Sequence, residues 1–276
     1  MLQLSTVDTE KIRQKSNPIR ALFRWMRWHL PTGIGSHRIL SGPLRGSRIV
    51  TSWRDYPAAI AGITEPQLLD WFSKQVGAGQ TWLDIGAHYG YTSLALAQRV
   101  GATGRVFAFE PMAATAGCLA RTRAINNLEC ITVIPMALGA EPGLGVVELT
   151  TVRGMVDSTL QAAGTPEQQW REKFLVSQLD WLWPRICSEL PDIHGIKIDV
   201  QGMELHVLRG MQEVLRTHRP KLVVELHRGV DRATVLSLLA VLGYEAATPI
   251  EPVPGETEPQ FHDDRSYAFQ PQASGT

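Results

Sequence analysis

The chain has 276 residues, 44% of them hydrophobic and 20% charged, and its 27 basic side chains balance its 27 acidic ones. This composition excludes a disordered chain, and no run approaches the roughly 18 consecutive apolar residues that a membrane span requires. Three cysteines without close spacing exclude a disulfide framework, and because the first thirty residues lack the apolar core of a secretory signal, we expect a cytoplasmic protein.

Basic residues are concentrated at the amino terminus. Residues 1–54 carry ten lysines and arginines but only two acids, a net charge of +8, so the rest of the chain carries −8. Over residues 19–30 apolar side chains recur at helical spacing, with Arg20, Arg24 and Arg27 on another face. We predict a basic amphipathic helix that packs on the molecule, joins two copies as a homodimer, or docks on a membrane surface or an acidic partner.

A short segment after this helix has the pattern of a small β element. Residues 38–54 predict a hairpin that turns at Gly42 and Pro43. We therefore divide the chain into a basic helical and β extension over residues 1–56 and a larger domain over residues 57–276.

From residue 81 to residue 242, short β-branched or aromatic runs alternate with helical patterns. This alternation is typical of a doubly wound α/β fold with a mostly parallel sheet. The predicted strands are Thr81–Ile85, Arg105–Phe109, Ile131–Ile134, Gly195–Val200 and Lys221–Leu226, with a last strand near Tyr267–Phe269. The predicted helices are Thr92–Arg99, Ala113–Asn126, Met203–Leu215 and Asp231–Leu242.

About sixty residues separate the third predicted strand from the fourth, more than an ordinary loop contains. This insertion predicts a hairpin around Gly143–Leu149 and carries Trp170, Trp181 and Trp183. We expect it to cover a site, with the ring of Trp170 offering a flat apolar face to a substrate.

The first predicted strand ends in a turn with the sequence DIGAHYG, which begins at Asp84. Gly86 and Gly90 allow the backbone to approach a ligand closely, and the helix that follows offers free N–H groups. The spacing lacks the third glycine of the dinucleotide fingerprint, and Asp84 would repel a pyrophosphate. The turn, which includes His88 and Tyr89, therefore favours a ligand that has an ammonium group and no phosphate.

Glu110 ends the second predicted strand, twenty residues after Gly90. A carboxylate at this place can accept hydrogen bonds from both hydroxyls of a ribose. Together with the glycine turn, it indicates S-adenosylmethionine as the cofactor. By topology, Asn127 and Ala137 fall where an adenine edge would lie.

Ionisable residues also end the fourth and fifth predicted strands. Asp199 and His227 stand where parallel strands face a ligand crevice, and Glu204 lies in the helix that follows Asp199. A neutral imidazole is a common proton acceptor near pH 7. We predict that Asp199 faces both the cofactor and the acceptor and that His227 or Asp199 removes the proton, with Glu204 in support. Helix capping is the alternative for Asp199 and Glu204.

Several segments, taken in order, resemble the FkbM family of S-adenosylmethionine-dependent methyltransferases. They are DIGAHYGY (84–91), GRVFAFEP (104–111), the asparagine pair 126–127, MALG (136–139), STL (158–160), QLDWL (178–182), IKIDVQGMELHVLRGM (196–211) and VVELH (223–227). The resemblance spans about residues 57–245. It implies a seven-stranded Rossmann-like methyltransferase sheet and O-methylation of a hydroxyl on a sugar, polyketide or other natural product.

The resemblance also implies residue roles. It implies cofactor contacts at Asp84, Gly86, Gly90 and Glu110 and matches Asp199 and Glu204 to the family's IDVEGAE-like segment. Gln201 departs from the pattern, since the family usually has glutamate there, and so does Met203, where a small residue is usual. We expect Ser158, Trp170 and Gln201 on the acceptor side.

Three other functions stay open. The chain could be an NAD-dependent oxidoreductase, a cofactor-binding protein without catalysis, or a divalent-metal-dependent methyltransferase. Asp199, Glu204 and Glu225 would be the oxygen ligands in the last case, although we assign no metal site. The expected partner is a small molecule with a hydroxyl group, and no nucleic acid is expected.

Overall fold

The computed structural model describes residues 29–152, 169–187, 189, 191–251 and 264–273. The predicted amino-terminal helix lies outside these residues except for its last two positions. Among the helices that the structure describes, none combines the length and the apolar character needed to cross a bilayer.

The described residues form twelve strands and eight helices. The strands are β1 (Gly35–Arg38), β2 (Arg48–Thr51), β3 (Thr81–Ile85), β4 (Arg105–Phe109), β5 (Ile131–Ile134), β6 (Ala137–Leu138), β7 (Leu144–Val152), β8 (Gln169–Ser177), β9 (Gly195–Ile198), β10 (Lys221–Leu226), β11 (Thr248–Pro249) and β12 (Arg265–Phe269). The helices are α1 (Pro57–Ala61), α2 (Pro66–Gln75), α3 (Tyr91–Val100), α4 (Ala113–Ile125), α5 (Leu179–Ile186), α6 (Glu204–Arg209), α7 (Gln212–His218) and α8 (Arg232–Val241).

Seven of these strands form one mixed sheet, in the order β11, β12, β10, β9, β3, β4, β5. Strands β10, β9, β3, β4 and β5 are parallel, whereas β12 runs antiparallel to β10 and β11. Ile85, the last residue of β3, pairs with Phe109 on one side and Ile198 on the other. The carboxyl ends of three adjacent strands therefore meet at one edge, as the predicted seven-stranded doubly wound sheet requires.

Both faces of the sheet are covered. Successive residues of a strand point to opposite faces, so Trp82 and Leu83 of β3 belong to two different apolar clusters. The Trp82 cluster contains Phe72 of α2 and Leu96 of α3, while the Leu83 cluster contains Leu208 of α6. This burial explains why the strands have uninterrupted apolar sequences.

A small hairpin precedes the main sheet as predicted, with Gly42 and Pro43 between its strands, but its first strand, β1, begins at Gly35, three residues before the predicted segment. Ile49 and Val50 of β2 are fully buried in the same cluster as Trp82, and the amide of Val50 donates to the hydroxyl of Thr122 in α4. The β part of the extension thus shares the core of the larger unit. The division of the chain at residue 57 stays a prediction.

The insertion forms a second small sheet. Strands β7 and β8 pair antiparallel over nine residues each, and β6 lies parallel to β8. The predicted hairpin within Gly143–Leu149 is wrong, because this segment lies in one arm of a longer hairpin whose partner is Gln169–Ser177. The strand that pairs with this segment lies more than fifteen residues further along the chain, so the sequence of the segment itself does not show where the hairpin turns.

The predicted helix Met203–Leu215 is two helices, α6 and α7. At the break, a Cβ on Gly210 would lie 1.9 Å from the carbonyl oxygen of Gly139, so the two backbones are in close contact. The Asp180 carboxylate accepts hydrogen bonds from the amides of Glu213 and Val214, which start α7. Contacts from distant parts of the chain therefore separate the two helices.

Candidate active site

The glycine turn joins β3 to α3 at the carboxyl edge of the sheet. Gly86 has a φ of 81°, and a Cβ there would lie 1.8 Å from the carbonyl oxygen of Asp199. Gly90 has a φ of 89°, and a Cβ there would lie 2.2 Å from Cδ1 of Leu119. Both positions therefore need glycine, and at Gly86 the close approach is to the backbone that follows β9.

Asp84 is fully buried beneath this turn. Its Oδ2 accepts hydrogen bonds from Thr92 (2.7 Å) and Ser93 (2.6 Å), and Oδ1 lies 3.5 Å from the ammonium of Lys197. These contacts tie β3 to the first turn of α3. In this structure Asp84 supports the turn from below.

Glu110 connects the same turn to the end of β4. Its Oε2 accepts a hydrogen bond from the amide of His88 (2.9 Å) and its Oε1 one from the amide of Met112 (3.0 Å). Burial raises the pKa of Glu110 to about 7. Each oxygen of an ionised carboxylate has a second lone pair, so two further hydrogen bonds can form.

Aromatic rings surround the turn. The ring of His88 lies 5.1 Å from that of Tyr56 and 4.4 Å from that of Tyr89, both edge to face. Burial lowers the pKa of His88 to about 4, so this imidazole is neutral at physiological pH. The predicted cofactor residues His88 and Tyr89 are thus brought beside Glu110 on an uncharged aromatic wall.

Lys197 is a site residue that the sequence reasoning missed. It is buried in β9, and its ammonium lies 3.2 Å from the carbonyl oxygen of Gly86 and 3.3 Å from Oδ2 of Asp199. The opposing charges of Asp199 and Asp84 outweigh burial and raise the pKa of Lys197 above its ordinary value. The sequence did contain a signal for this role, a lysine inside the apolar run GIKI, because a buried charge requires an oppositely charged or hydrogen-bonding partner.

The ends of β9 and β10 bring four predicted residues together with Glu225. Nδ1 of His227 lies 2.7 Å from Oε1 of Glu204, which also accepts the amide of Gly202 (3.0 Å). The Nε2 atom of His227 lies 2.9 Å from the amide nitrogen of Gln201, 3.6 Å from Oδ1 of Asp199 and 3.5 Å from Oε1 of Glu225.

The protonation of this cluster differs from the neutral imidazole that we expected. Burial opposes a charged ring at His227, but the hydrogen bond with Glu204 and the charges of Asp199 and Glu225 raise its pKa to about 9. Burial and the charge of Asp199 raise the pKa of Glu225 to about 8. Burial also opposes ionisation of Asp199, but Lys197 and His227 hold its pKa below the ordinary value. At pH 7 His227 is therefore mainly protonated.

A pocket of about 140 Å³ adjoins the cluster through Glu225. The described part of its wall carries four carboxylates and one arginine: Glu65, Glu225, Glu251, Asp264 and Arg265. Burial raises the pKa of Glu65 to about 7. The pocket is thus an acidic surface next to the catalytic candidates.

Of the other predicted site residues, Asn127 and Trp170 are not brought to this edge. Asn127 lies in the turn before β5, at the amino-terminal edge of the sheet, because β5 runs parallel to β4 and its carboxyl end lies beside Glu110. Trp170 is 56% exposed, seven residues from the end of β8. Ala137 follows β5 on the expected side, and Ser158 lies outside the described residues.

Comparison with known proteins identifies the family. The model of the methyltransferase FkbM domain matches residues 84–246, more than half of the chain. The chain belongs to the FkbM methyltransferase family. The match contains both the glycine turn and the cluster at the ends of β9 and β10, whereas Glu65 and Arg265 of the adjoining pocket lie outside it.

A characterised relative of this FkbM-family chain is the hexuronic acid methyltransferase AglP of Haloferax volcanii. The two are 27% identical over 157 residues, which cover 57% of this chain and 60% of the relative. Similar solved structures include a methyltransferase FkbM from Methylobacillus flagellatus KT, with 18% identity and a TM-score of 0.45 over 73% of this chain and 50% of the other. A SAM-dependent O-methyltransferase from Thermotoga maritima has 14% identity and a TM-score of 0.46, over 88% and 80%.

Proposed function

We propose that this chain transfers a methyl group from S-adenosylmethionine to a hydroxyl oxygen of a sugar, polyketide or related natural product. One observation carries the proposal. At the carboxyl edge of the sheet the glycine turn lies between the two groups: Gly86 approaches the backbone of Asp199, and the amide of His88 donates to Glu110. A cofactor subsite and a set of ionisable groups are thus adjacent.

The residues around the turn fit the cofactor. The free lone pairs of Glu110 suit two ribose hydroxyls, and the neutral wall of His88 and Tyr89 suits an uncharged ring. Asp84, whose Oδ2 accepts hydrogen bonds from Thr92 and Ser93 below the turn, acts by holding the turn in place.

S-adenosylmethionine supplies an electrophilic methyl carbon, and the bond from this carbon to sulfur breaks as the acceptor oxygen bonds to it, with the electron pair left on sulfur. Asp199 and His227 orient the acceptor hydroxyl. They also receive its proton, Asp199 as the ionised member at pH 7 and His227 when it is deprotonated. Glu204 positions His227 through Nδ1.

The acidic pocket beside Glu225 indicates which charge the acceptor can carry. Above a pH of about 8, where Glu65 and Glu225 are also ionised, four carboxylates against one arginine repel an anionic substrate and tolerate a neutral or basic one. We therefore propose a neutral or amino-bearing hydroxyl compound, in contrast to the hexuronic acid named for the relative.

The test is transfer of a labelled methyl group from S-adenosylmethionine to a panel of acceptors: a neutral oligosaccharide, an amino sugar, a hexuronic acid and a hydroxylated macrolide. We expect transfer to neutral or amino acceptors, and methylation of the hexuronic acid alone would contradict the argument from the acidic pocket. Calorimetry with S-adenosylmethionine and NAD⁺ accompanies the panel. Binding of NAD⁺ in place of S-adenosylmethionine would overturn the function, and cofactor binding without transfer to any acceptor would favour a non-catalytic role.

A further inference from the structure

Three side chains from neighbouring strand ends converge without being fully paired. Asp199 follows β9, while Glu225 and His227 lie at the end of β10. One ligand atom from each lies within 4.8 Å of the others, and Nε2 of His227 is 3.6 Å from Asp199 and 3.5 Å from Glu225. Ligand atoms that are bound 2.0–2.2 Å from one ion lie about 3.0–3.6 Å apart in octahedral or tetrahedral sites. The two distances from His227 already fall at the upper end of this range, so one cation needs only a closer approach of the two carboxylates to each other.

The orientation of His227 provides a second, independent observation. Glu204 is fully buried, and its Oε1 accepts Nδ1–H of His227 at 2.7 Å while the amide of Gly202 holds the same oxygen at 3.0 Å. A cation that binds here displaces the proton from Nε2 of His227. Because the other proton is held on Nδ1 by Glu204, the lone pair of Nε2 then faces the two carboxylates. A buried carboxylate behind a histidine is the arrangement that orients metal-binding imidazoles in proteins.

Lys197 is the cation that already lies nearby, and it leaves one oxygen of Asp199 free. Its ammonium contacts Oδ2 of Asp199 at 3.3 Å. Within the part of the chain that the structure describes, Oδ1 of Asp199 is buried and has no hydrogen-bond partner. The free oxygen is also the one nearest to His227.

We propose that Asp199, Glu225 and His227 bind a divalent cation through mixed oxygen and nitrogen ligands, and that this cation holds the acceptor hydroxyl. The inference rests on the proposed function and deepens it. Coordination makes the hydroxyl proton more acidic, so that it passes to solvent as the oxygen forms its bond to the methyl carbon and the carbon–sulfur bond breaks. His227 then acts through Nε2 as a ligand and not as a base.

Gln201 has a place in this arrangement. Its amide nitrogen lies 2.9 Å from Nε2 of His227, so a cation displaces that contact. The side chain is exposed, and rotation of its amide group brings the carbonyl oxygen toward the ion. Gln201→Glu replaces this neutral oxygen with a charged one, and we expect it to tighten cation binding.

The test uses Mn²⁺ alone with the full chain, without cofactor or acceptor. Electron paramagnetic resonance of free Mn²⁺ measures stoichiometry and affinity. We expect one bound ion for the unmodified protein, at least about tenfold weaker binding for Glu225→Gln, and about 10- to 100-fold weaker binding for Glu204→Gln. Asp192→Asn is the matched control, because its side chain is 91% exposed and precedes the amino-terminal end of β9.

Binding of Mn²⁺ by Glu225→Gln as strongly as by the unmodified protein would overturn the site, as would the absence of a bound ion at millimolar Mn²⁺. Thermal melting confirms that each variant is folded. Methyl transfer that survives EDTA would overturn the role of the cation in catalysis. Intact Mn²⁺ binding without transfer to any acceptor would instead count against the proposed function and leave the site in place.

Discussion

Glu110 is the residue whose protonation should govern the proposed cofactor subsite. Because burial raises its pKa to about 7, the free protein takes up a proton here as the pH falls below 7. Ribose hydroxyls donate to the ionised form, so affinity for S-adenosylmethionine should fall below pH 7, by up to about tenfold per pH unit. Calorimetric titration between pH 5.5 and 7.5 measures the slope.

Glu110→Gln is the matched control for this effect. It removes the titrating group, so the pH profile should lose the part of its slope that comes from the protein. At pH 7.5 the variant should bind the cofactor about tenfold or more weakly, since hydrogen bonds to a charged group contribute about 1.5–3 kcal/mol. Parallel profiles for the two folded proteins would contradict the ribose assignment.

His227 and Asp199 are the residues on which turnover should depend. We expect His227→Ala or Asp199→Asn to lower kcat by about 10²-fold or more with little change in cofactor affinity, because both side chains lie at the end of the edge that we propose for the acceptor. Glu204→Ala should cost less, since Glu204 acts through His227. Steady-state kinetics with His206→Ala, an exposed histidine of α6, as the control measures the effect. Normal kcat in His227→Ala would remove His227 from the site.

The turn between β3 and α3 is the element whose backbone cannot vary. Gly86→Ala puts a methyl group 1.8 Å from the carbonyl oxygen of Asp199 at a φ of 81°, so we expect it to destabilise the fold by more than about 2 kcal/mol. Gly117→Ala in α4 is the control. Its Cβ meets nothing within 4 Å, and it should stabilise the protein by about 0.5–1 kcal/mol. Urea unfolding compares the two, and equal stability would contradict the close contact.

The β7–β8 hairpin is the element that we expect to contact the acceptor. Because Trp170 lies away from the catalytic edge, Trp170→Ala should raise the KM of an acceptor long enough to stack on its exposed ring and leave cofactor affinity unchanged. Leu144→Ala, at the base of the hairpin and similarly exposed, is the control. An unchanged KM in folded Trp170→Ala would remove Trp170 from the acceptor site.

At the scale of the whole molecule, the amino-terminal extension has two parts with different expected roles. Removal of residues 1–28 should preserve the melting temperature and cofactor binding. Removal of residues 1–54 should unfold the protein, because it deletes four fully buried apolar side chains. Each contributes about 1.5–3 kcal/mol, and together they approach a typical total stability. These four are Ile39, Leu44, Ile49 and Val50. A folded protein lacking residues 1–54 would support the division at residue 57.

The shorter truncation also tests the predicted basic helix. If Arg20, Arg24 and Arg27 contact an anionic surface, the full chain should sediment with vesicles that contain acidic lipid and the truncated chain should not. If the helix joins two copies, truncation should instead reduce the hydrodynamic size.

The sequence by itself determined the strands of the main sheet and the turn at its edge. Four of the five predicted parallel strands have the predicted bounds, and the fifth, β9, is two residues shorter. Buried parallel strands appear in sequence as apolar runs, and a left-handed turn appears as glycine, so both signals are local. The family segments follow the same local pattern, which is why the fold and the methyltransferase family could be predicted together.

Only the tertiary structure decided which partners the polar residues meet. Lys197 contacts the backbone of Gly86, 111 residues away, and Glu204 contacts His227 across 23 residues. Contacts of this kind raise the pKa of His227, bind Asp84 below the turn and bring Glu225 beside His227. The direction of the strands places Asn127 at the opposite edge of the sheet. The physical reason is that a charge or hydrogen bond depends on distance in space, and residues far apart along the chain leave no mark of that distance in the sequence.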